Sequence, residues 1–218
     1  MDLVADGETQ AQLLEARDPD IRLMLQVRDD VPGAFEVLVE RYQHRLVGIL
    51  SHLVGRVEEA EDLTQEVLLR IYRARKGYTP KAKFSTWLFT IANNLALNHL
   101  RGKGRGTGDA VGGVGETGGT SAMLRPAVER VEGREGTPSS SMRQAELSDV
   151  IRGALETLGE DQRMAVLLNK FEGMSYQEIA EIMKRTEPAI KSLLSRARMQ
   201  LRGQLEPYLK GDSRRAGT

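Results

Sequence analysis

The 218-residue sequence contains no cysteine. A disulfide scaffold, a thiolate zinc site and a thiol nucleophile are therefore excluded together. The sequence also has no apolar run near the roughly 20 residues that cross a bilayer, and its acidic start lacks the basic and apolar parts of a signal peptide. We therefore expect a cytoplasmic protein that is not embedded in a membrane.

Aromatic residues are scarce at 5%, beside 40% hydrophobic and 28% charged residues. This balance is ordinary for a globular protein whose cores are built from aliphatic helices. Since domains usually contain about 100 to 150 residues, the length suits two small domains better than one large one. We expect an all-α chain of two small helical bundles.

Residues that carry catalysis are equally scarce. The only histidines are His44, His52 and His99. His44 and His52 are eight residues apart on one predicted helix, about 12 Å at 1.5 Å per residue, which is too far to share a metal without other ligands. Because the sequence also lacks a phosphate-binding loop and a nucleophile motif, we expect no enzymatic activity, metal, cofactor or small-molecule substrate.

The formal net charge is zero, which by itself argues against binding to nucleic acid. The charges are segregated, however. Residues 76–106 carry six basic and no acidic side chains, residues 184–218 carry nine basic and three acidic ones, and residues 1–75 carry nine basic and 15 acidic ones. Unless this clustering is chance, it predicts two surfaces for a polyanion and other surfaces for a different partner.

A glycine-rich segment divides the chain. Of the 22 glycines, 11 fall between Gly102 and Met142, where apolar periodicity is almost absent. Such a segment buries too little surface to offset its ordering entropy, so we expect a flexible linker. The predicted divisions are an N-terminal extension at 1–32, a first bundle at 33–101, the linker at 102–142, a second bundle at 143–206 and a tail at 207–218.

Apolar residues recur at helical spacing before the linker. The polar face of one predicted helix is acidic, and it is followed by a basic loop, Lys76–Lys83. Phe84 and Trp87 match the apolar stripe of the next helix, which favours core positions over contact with a ligand. The predicted helices cover 33–54, 58–75 and 84–100, with a weaker one near 21–27 that ends before Pro32.

Four more helices are predicted after the linker, at 143–157, 161–172, 175–183 and 187–205. Ser175 and Glu178 form a capping-box pair at the start of the third, and Thr186 is the predicted N-cap of the fourth. The short turn Lys184–Arg185 makes the last two a helix-turn-helix.

The last helix has two different faces. Its apolar residues, Ile190, Leu193, Leu194, Ala197 and Leu201, are predicted to pack inward. Its other face is basic and polar, with Lys191, Ser192, Ser195, Arg196, Arg198 and Arg202 turned outward. In a helix-turn-helix this face reads the major groove and holds phosphates; a solvated basic face on an ordinary helical hairpin is the alternative.

Motifs in both bundles resemble one known family. Residues 158–163 (LGEDQR), 171–180 (FEGMSYQEIA) and 189–198 (AIKSLLSRAR) resemble region 4 of extracytoplasmic-function (ECF) sigma factors, a group of the sigma-70 family. Residues 60–67 (AEDLTQEV), 84–88 (FSTWL) and 91–94 (IANN) resemble region 2 of the same factors. The resemblance implies a sigma factor that binds core RNA polymerase and directs transcription initiation at particular promoters.

The resemblance also implies roles for individual residues. The helix at 58–75 would bind the clamp of the polymerase's largest subunit through Asp62, Gln65 and Glu66, although without the resemblance a solvated acidic face is the better interpretation. The −10 element, opened as a single strand, would be bound by Lys76, Tyr78, Lys81, Lys83, Asn93, Asn94, Asn98 and Arg101. The −35 element would be read as duplex by Lys184, Arg185, Glu187, Pro188, Lys191, Ser192, Ser195, Arg196 and Arg198.

Two alternatives stay open at this point. A dimeric helix-turn-helix repressor or activator would bind palindromic DNA without polymerase, but this leaves the first bundle unexplained. An antagonist that imitates part of a sigma factor would not need the two basic segments. An anti-sigma factor is left open as a further partner.

Overall fold

The computed structural model describes residues 12–105 and 138–215. These residues form helices joined by turns, in two compact units centred on residues 12–105 and on residues 138–215. The all-α prediction is therefore confirmed for the described residues, while residues 106–137 of the linker predicted at 102–142 lie outside them. Besides helical residues 12–17 and a 3₁₀ turn at Arg75–Gly77, the helices are α1 (Pro19–Arg28), α2 (Ala34–Val54), α3 (Val57–Ala74), α4 (Phe84–Arg105), α5 (Pro138–Glu156), α6 (Glu160–Lys170), α7 (Tyr176–Met183) and α8 (Glu187–Arg215).

The centre of the first unit is the apolar stripe of α2. Leu38, Leu46 and Leu50 on this helix are fully buried, as is Ile71 on the facing α3. Gly55 ends α2 in the left-handed conformation, at φ 82°, and its N–H donates to the Ser51 carbonyl at 3.0 Å. A residue without Cβ adopts this conformation without strain, so the end of α2 predicted at this glycine is confirmed.

Helix α1 packs within the first bundle. The Asp18 side chain caps its start by accepting from the Asp20 N–H at 2.9 Å, and Pro19 suits the first turn because its missing N–H has no partner there. Ile21 and Met24 are fully buried. The weaker helix predicted near residues 21–27, within the predicted N-terminal extension, is therefore present and contributes to the core.

Helix α4 begins at the predicted residue but is longer than predicted. Phe84 and Leu88 are fully buried, as the apolar stripe indicated. The helix continues to Arg105, and Lys103 Nζ lies 2.6 Å from the Glu59 carboxylate of α3. Residues 102–105 are therefore helical, which corrects the predicted start of the linker.

The second unit also has longer helices than the sequence predicted. Its core contains Leu167 of α6 together with Ile190 and Ala197 of α8, each fully buried. Helix α5 already begins at Pro138, and α8 continues to Arg215. Residues 138–142, predicted as linker, and residues 207–215, predicted as tail, are helical instead.

Glu59 in the first turn of α3 connects this helix to the end of α4. Its carboxylate accepts a hydrogen bond from Lys103 Nζ at 2.6 Å and lies 2.8 Å from His99 Nε2, and its side chain is only 16% exposed. The hydrogen bonds with Lys103 and His99 lower the pKa of the Glu59 carboxyl below its ordinary value of 4.5. The ionised form of Glu59 therefore stabilises the pairing of α3 with α4.

We predict that Glu59→Gln lowers the free energy of unfolding at neutral pH by about 1 kcal/mol. Because the pKa of Glu59 is lowered in the folded state, this stabilisation is present above pH 4.5 and is lost as the pH falls through the folded-state pKa. Urea unfolding followed by circular dichroism at neutral and acidic pH measures the difference. The control is Glu58→Gln, at the exposed neighbouring position; an equal effect of both variants at neutral pH would contradict the prediction.

Candidate nucleic-acid interface

The start of α7 is fixed by the predicted capping box. Ser175 Oγ accepts from the Glu178 N–H at 3.3 Å, and the Glu178 carboxylate accepts from the Ser175 N–H at 2.8 Å. At the start of α8, Thr186 Oγ1 accepts from the Ala189 N–H at 3.4 Å. Both predicted caps are confirmed, and they satisfy backbone donors that a helix start leaves without partners.

The turn between α7 and α8 is tight. Lys184 adopts the left-handed conformation, at φ 52°, and the Arg185 N–H donates to the Ala180 carbonyl at 3.0 Å. The Arg185 guanidinium forms an ion pair with Asp161 of α6. This ion pair orients Arg185, which the sequence analysis assigned to DNA, and connects the turn to the rest of the second unit.

The two faces of α8 separate as predicted. Ile190, Leu194 and Ala197 are buried, so the opposite side of the helix is left to solvent. The exposed residues on α8 include most of those predicted to contact the −35 element: Glu187, Pro188, Lys191, Ser192, Ser195, Arg196 and Arg198. Lys184 and Arg185 of the turn are exposed as well. The structure thus brings the whole predicted set together along one turn and one helix face.

Arg198 is held by a residue that the sequence analysis did not consider. Its Nη2 donates to the Tyr176 hydroxyl of α7 at 2.7 Å. The two residues are 22 positions apart on different helices, so no local spacing pointed to the pair. Because this bond already restricts the Arg198 side chain, less rotamer entropy is lost when Arg198 binds a phosphate.

In the first unit, the predicted basic residues have different surroundings. Lys81, Lys83 and Arg101 are exposed, as is Asn98, and Asn94 is half-buried. Lys76 is occupied within the protein, because its Nζ donates to the Arg28 carbonyl at 2.7 Å and forms an ion pair with Asp30.

Tyr78 and Asn93 are buried, at 6% and 4% exposure. The Tyr78 ring packs beside Phe84 and Trp87, with ring centroids 6.3 and 4.9 Å away. Burial raises the pKa of the Tyr78 phenol above its ordinary value. The Tyr78 ring is thus part of the aromatic cluster of the core, and its contact with bases, like that of Asn93, stays a prediction.

The acidic face of α3 is open. Asp62 and Gln65 are exposed, and Glu66 is half-buried and accepts from Arg70 Nε at 2.7 Å. Leu69 lies one turn further along and is 42% exposed. The three predicted polymerase contacts therefore share one face with an exposed apolar side chain.

Residues 12–105 and 138–215 contain neither a candidate metal site nor a candidate membrane-spanning helix. No group of three or more histidine or acidic side chains is placed to hold a metal ion. No helix in these ranges combines the length and the apolar character needed to cross a bilayer.

A helix-turn-helix with a basic recognition face, on a chain whose other unit carries basic residues beside an acidic helix, defines a two-unit DNA-binding protein. The family model "Sigma-70 region 2" matches residues 38–106, and "Sigma-70, region 4" matches residues 148–201. RNA polymerase sigma-H factor of Pseudomonas aeruginosa is 31% identical over 199 residues, which are 89% of this chain and 97% of that protein. The chain belongs to the ECF group of the sigma-70 family, and it directs RNA polymerase to promoters.

Other comparisons agree with this family. ECF RNA polymerase sigma-E factor of Escherichia coli K12 is 32% identical over 182 residues, covering 81% of this chain and 89% of that protein. The solved sigma factor RpoE of Bartonella quintana, in complex with the anti-sigma factor NepR, is 25% identical with a TM-score of 0.58, covering 80% of this chain and 98% of that one. CnrH, solved with the cytosolic domain of CnrY, has the same TM-score at 19% identity, covers 85% of this chain and 96% of that one, and shows the fold alone.

We predict that Tyr176→Phe weakens promoter binding by about threefold to fivefold, since the variant keeps the ring but removes the acceptor that holds Arg198. Electrophoretic mobility shift of the reconstituted holoenzyme measures the binding. Tyr208→Phe, at an exposed position further along α8, is the matched control. If both variants bind like the wild type, the Tyr176 bond has no role in DNA binding.

Proposed function

We propose that the chain acts as a sigma factor with three contact surfaces: the exposed face of α8 for the −35 element, the segment 76–101 for the −10 element, and the acidic face of α3 for core polymerase. The observation that carries the proposal is the basic, exposed face of α8 behind a capped helix-turn-helix. The protein would work without a cofactor and without catalysing a reaction, in the cytoplasm where polymerase is found.

The −35 element would be read as duplex in the major groove. The first residues of α8, Glu187, Pro188, Lys191, Ser192 and Ser195, are exposed and would approach base edges. The cations of the turn and of the later part of the helix would hold phosphates and fix the position of the helix.

The −10 element would be captured as an opened strand. Lys81, Lys83 and Arg101 are exposed cations suited to phosphates, and Asn98 offers an amide to a base. The Tyr78 hydroxyl and Thr86 Oγ1 are buried without a hydrogen-bond partner in the described residues. Each such group lowers the stability of the fold by about 1 to 3 kcal/mol. A flipped base that enters beside Trp87, once this part of the unit opens, would form hydrogen bonds with these groups and remove that penalty.

Core polymerase would bind at Asp62, Gln65 and Glu66 of α3. Their charges suit a basic partner, and the exposed Leu69 on the same face adds an apolar contact at the centre of such a surface. Because both DNA-binding units are on one chain, binding of one raises the local concentration of the other near its own element.

An anti-sigma protein is a further proposed partner. The support comes from the relative RpoE of Bartonella quintana, which is solved with the anti-sigma factor NepR. Co-purification of the chain with proteins from its own cells would test this partner.

The proposed function as a whole is tested by reconstituted transcription. Purified chain and core polymerase are incubated with a library of promoter sequences, and the transcripts are sequenced. A sigma factor yields transcripts from a set of promoters that share two elements. Tight duplex binding by the isolated chain, without association with core polymerase, would support the dimeric repressor instead.

We predict that the double variant Lys191→Ala, Arg196→Ala lowers transcription from the selected promoters by at least about tenfold and reduces the salt dependence of promoter binding by about two counterions. Transcription assays over a range of salt concentrations measure both effects. The control is Arg152→Ala, Lys170→Ala, which removes two exposed cations from α5 and α6. Equal transcription by the variant and this control would exclude α8 as the recognition helix.

We predict that Asp62→Ala, Glu66→Ala weakens association with core polymerase by about tenfold or more, because two charges that face a basic partner are removed. Fluorescence anisotropy of labelled chain titrated with core measures the affinity. The matched control is Glu36→Ala, Glu40→Ala, which removes two exposed charges from α2. An unchanged affinity of the α3 variant would place the polymerase contact elsewhere.

A further inference from the structure

Helix α1 is tied to the start of α4 by one carboxylate. Asp18 Oδ1 accepts from the Asp20 N–H at 2.9 Å, as the cap of α1. The other oxygen, Oδ2, accepts from the Phe84 N–H at 3.0 Å, across 66 residues of sequence. A single side chain therefore satisfies free donors at the starts of two helices and fixes the distance between them.

The other end of α1 is tied to the residues that follow α3. Asp30, just after α1, has φ 55°, and its Oδ1 accepts from Arg75 Nε at 3.1 Å. Its Oδ2 forms an ion pair with Lys76, whose Nζ also donates to the Arg28 carbonyl at 2.7 Å. The Arg75 guanidinium in addition lies 3.9 Å from the centroid of the Tyr72 ring.

The two ties enclose the basic loop. Arg75 precedes its first residue, Lys76, and Phe84 follows its last residue, so both ends of the loop are held by residues that flank α1, while Lys81 between them stays exposed. Two of the cations at this surface, Arg75 and Lys76, are paired with Asp30.

We propose that α1 is a positioning element for −10 recognition, in which the flanking residues Asp18 and Asp30 hold the basic loop, Lys76–Lys83, in the shape that reads the opened strand. This inference rests on the proposed function of the loop. Asp18 and Asp30 are positioning residues, since they act through the loop and not through contact with DNA.

Stability alone does not account for the tie at Asp30. The side chains of Asp30 and Lys76 are 54% and 56% exposed. Exposed ion pairs contribute little to the free energy of unfolding. The adjacent Asp29 is similarly exposed, and its carboxylate pairs with its neighbour Arg28 at 2.9 Å. Of these two neighbouring carboxylates, Asp30 forms the ion pair with Lys76 of the loop, whereas Asp29 pairs with Arg28.

The test uses holoenzyme reconstituted with Asp18→Asn, Asp30→Asn or Asp29→Asn. Asparagine tolerates the left-handed conformation at position 30 and caps a helix at position 18 about as well as aspartate, so the local backbone is kept. Asp18→Asn retains one accepting oxygen for the cap of α1 but loses the second acceptor for Phe84 N–H. Asp29→Asn removes an equal charge near Lys76 but leaves the ion pairs of Asp30 with Arg75 and Lys76 in place.

The readout is discrimination at each promoter element. Polyanion-resistant complexes are counted on a promoter selected from the library, on the same promoter with its −10 bases exchanged, and on one with its −35 bases exchanged. We expect Asp30→Asn and Asp18→Asn to lower the −10 discrimination ratio by about fivefold, the size of one lost base contact. Their −35 ratio, and both ratios of Asp29→Asn, stay at the wild-type values.

Three outcomes overturn the inference. An unchanged −10 ratio in both variants shows that the ties do not position the loop. An equal fall in the −10 and −35 ratios shows general damage to the fold. A wild-type holoenzyme that does not discriminate at −10 overturns the proposed function of the loop and this inference with it. This outcome is distinguished from the others because it is seen before any residue is substituted.

Discussion

The first unit depends on the contact between two fully buried rings, Tyr42 of α2 and Phe84 of α4, whose centroids are 5.2 Å apart at 66°. Burying them also buries a hydroxyl and a backbone N–H. Asp20 accepts from the Tyr42 hydroxyl and Asp18 from the Phe84 N–H. Since an unsatisfied polar group would cancel part of the gain from burying the rings, the acidic start of α1 is a condition for this core, and the position of α4 follows from it.

Much of this architecture was accessible from local patterns. The apolar stripe of α2, its end at Gly55, the caps at Ser175 and Thr186 and the two faces of α8 depend on residues three or four positions apart, and all of them agree with the structure. Helical spacing also placed Phe84 in the core. The family was evident from short motifs because these motifs combine core positions and surface positions in a fixed order.

What the sequence did not reveal depends on contacts between distant residues. Lys76 and Asp30 are 46 positions apart, and Tyr176 and Arg198 are 22 apart. Both cations count toward the charge of their segments, but Lys76 is paired with the Asp30 carboxylate and Arg198 is held by the Tyr176 hydroxyl. Tyr78 was assigned to DNA because it lies in a basic loop, but its ring completes an aromatic cluster. Charge per segment therefore counts cations that are already held by other side chains of the protein.

The left-handed backbone at Lys184 limits how this protein can be redesigned. A β-branched side chain there would strain the turn that aims α8, whereas glycine or asparagine would adopt it readily. A library intended to change promoter preference should hold this position constant and vary the exposed positions at the start of α8. New specificities would then be sampled without altering the angle at which the helix is presented.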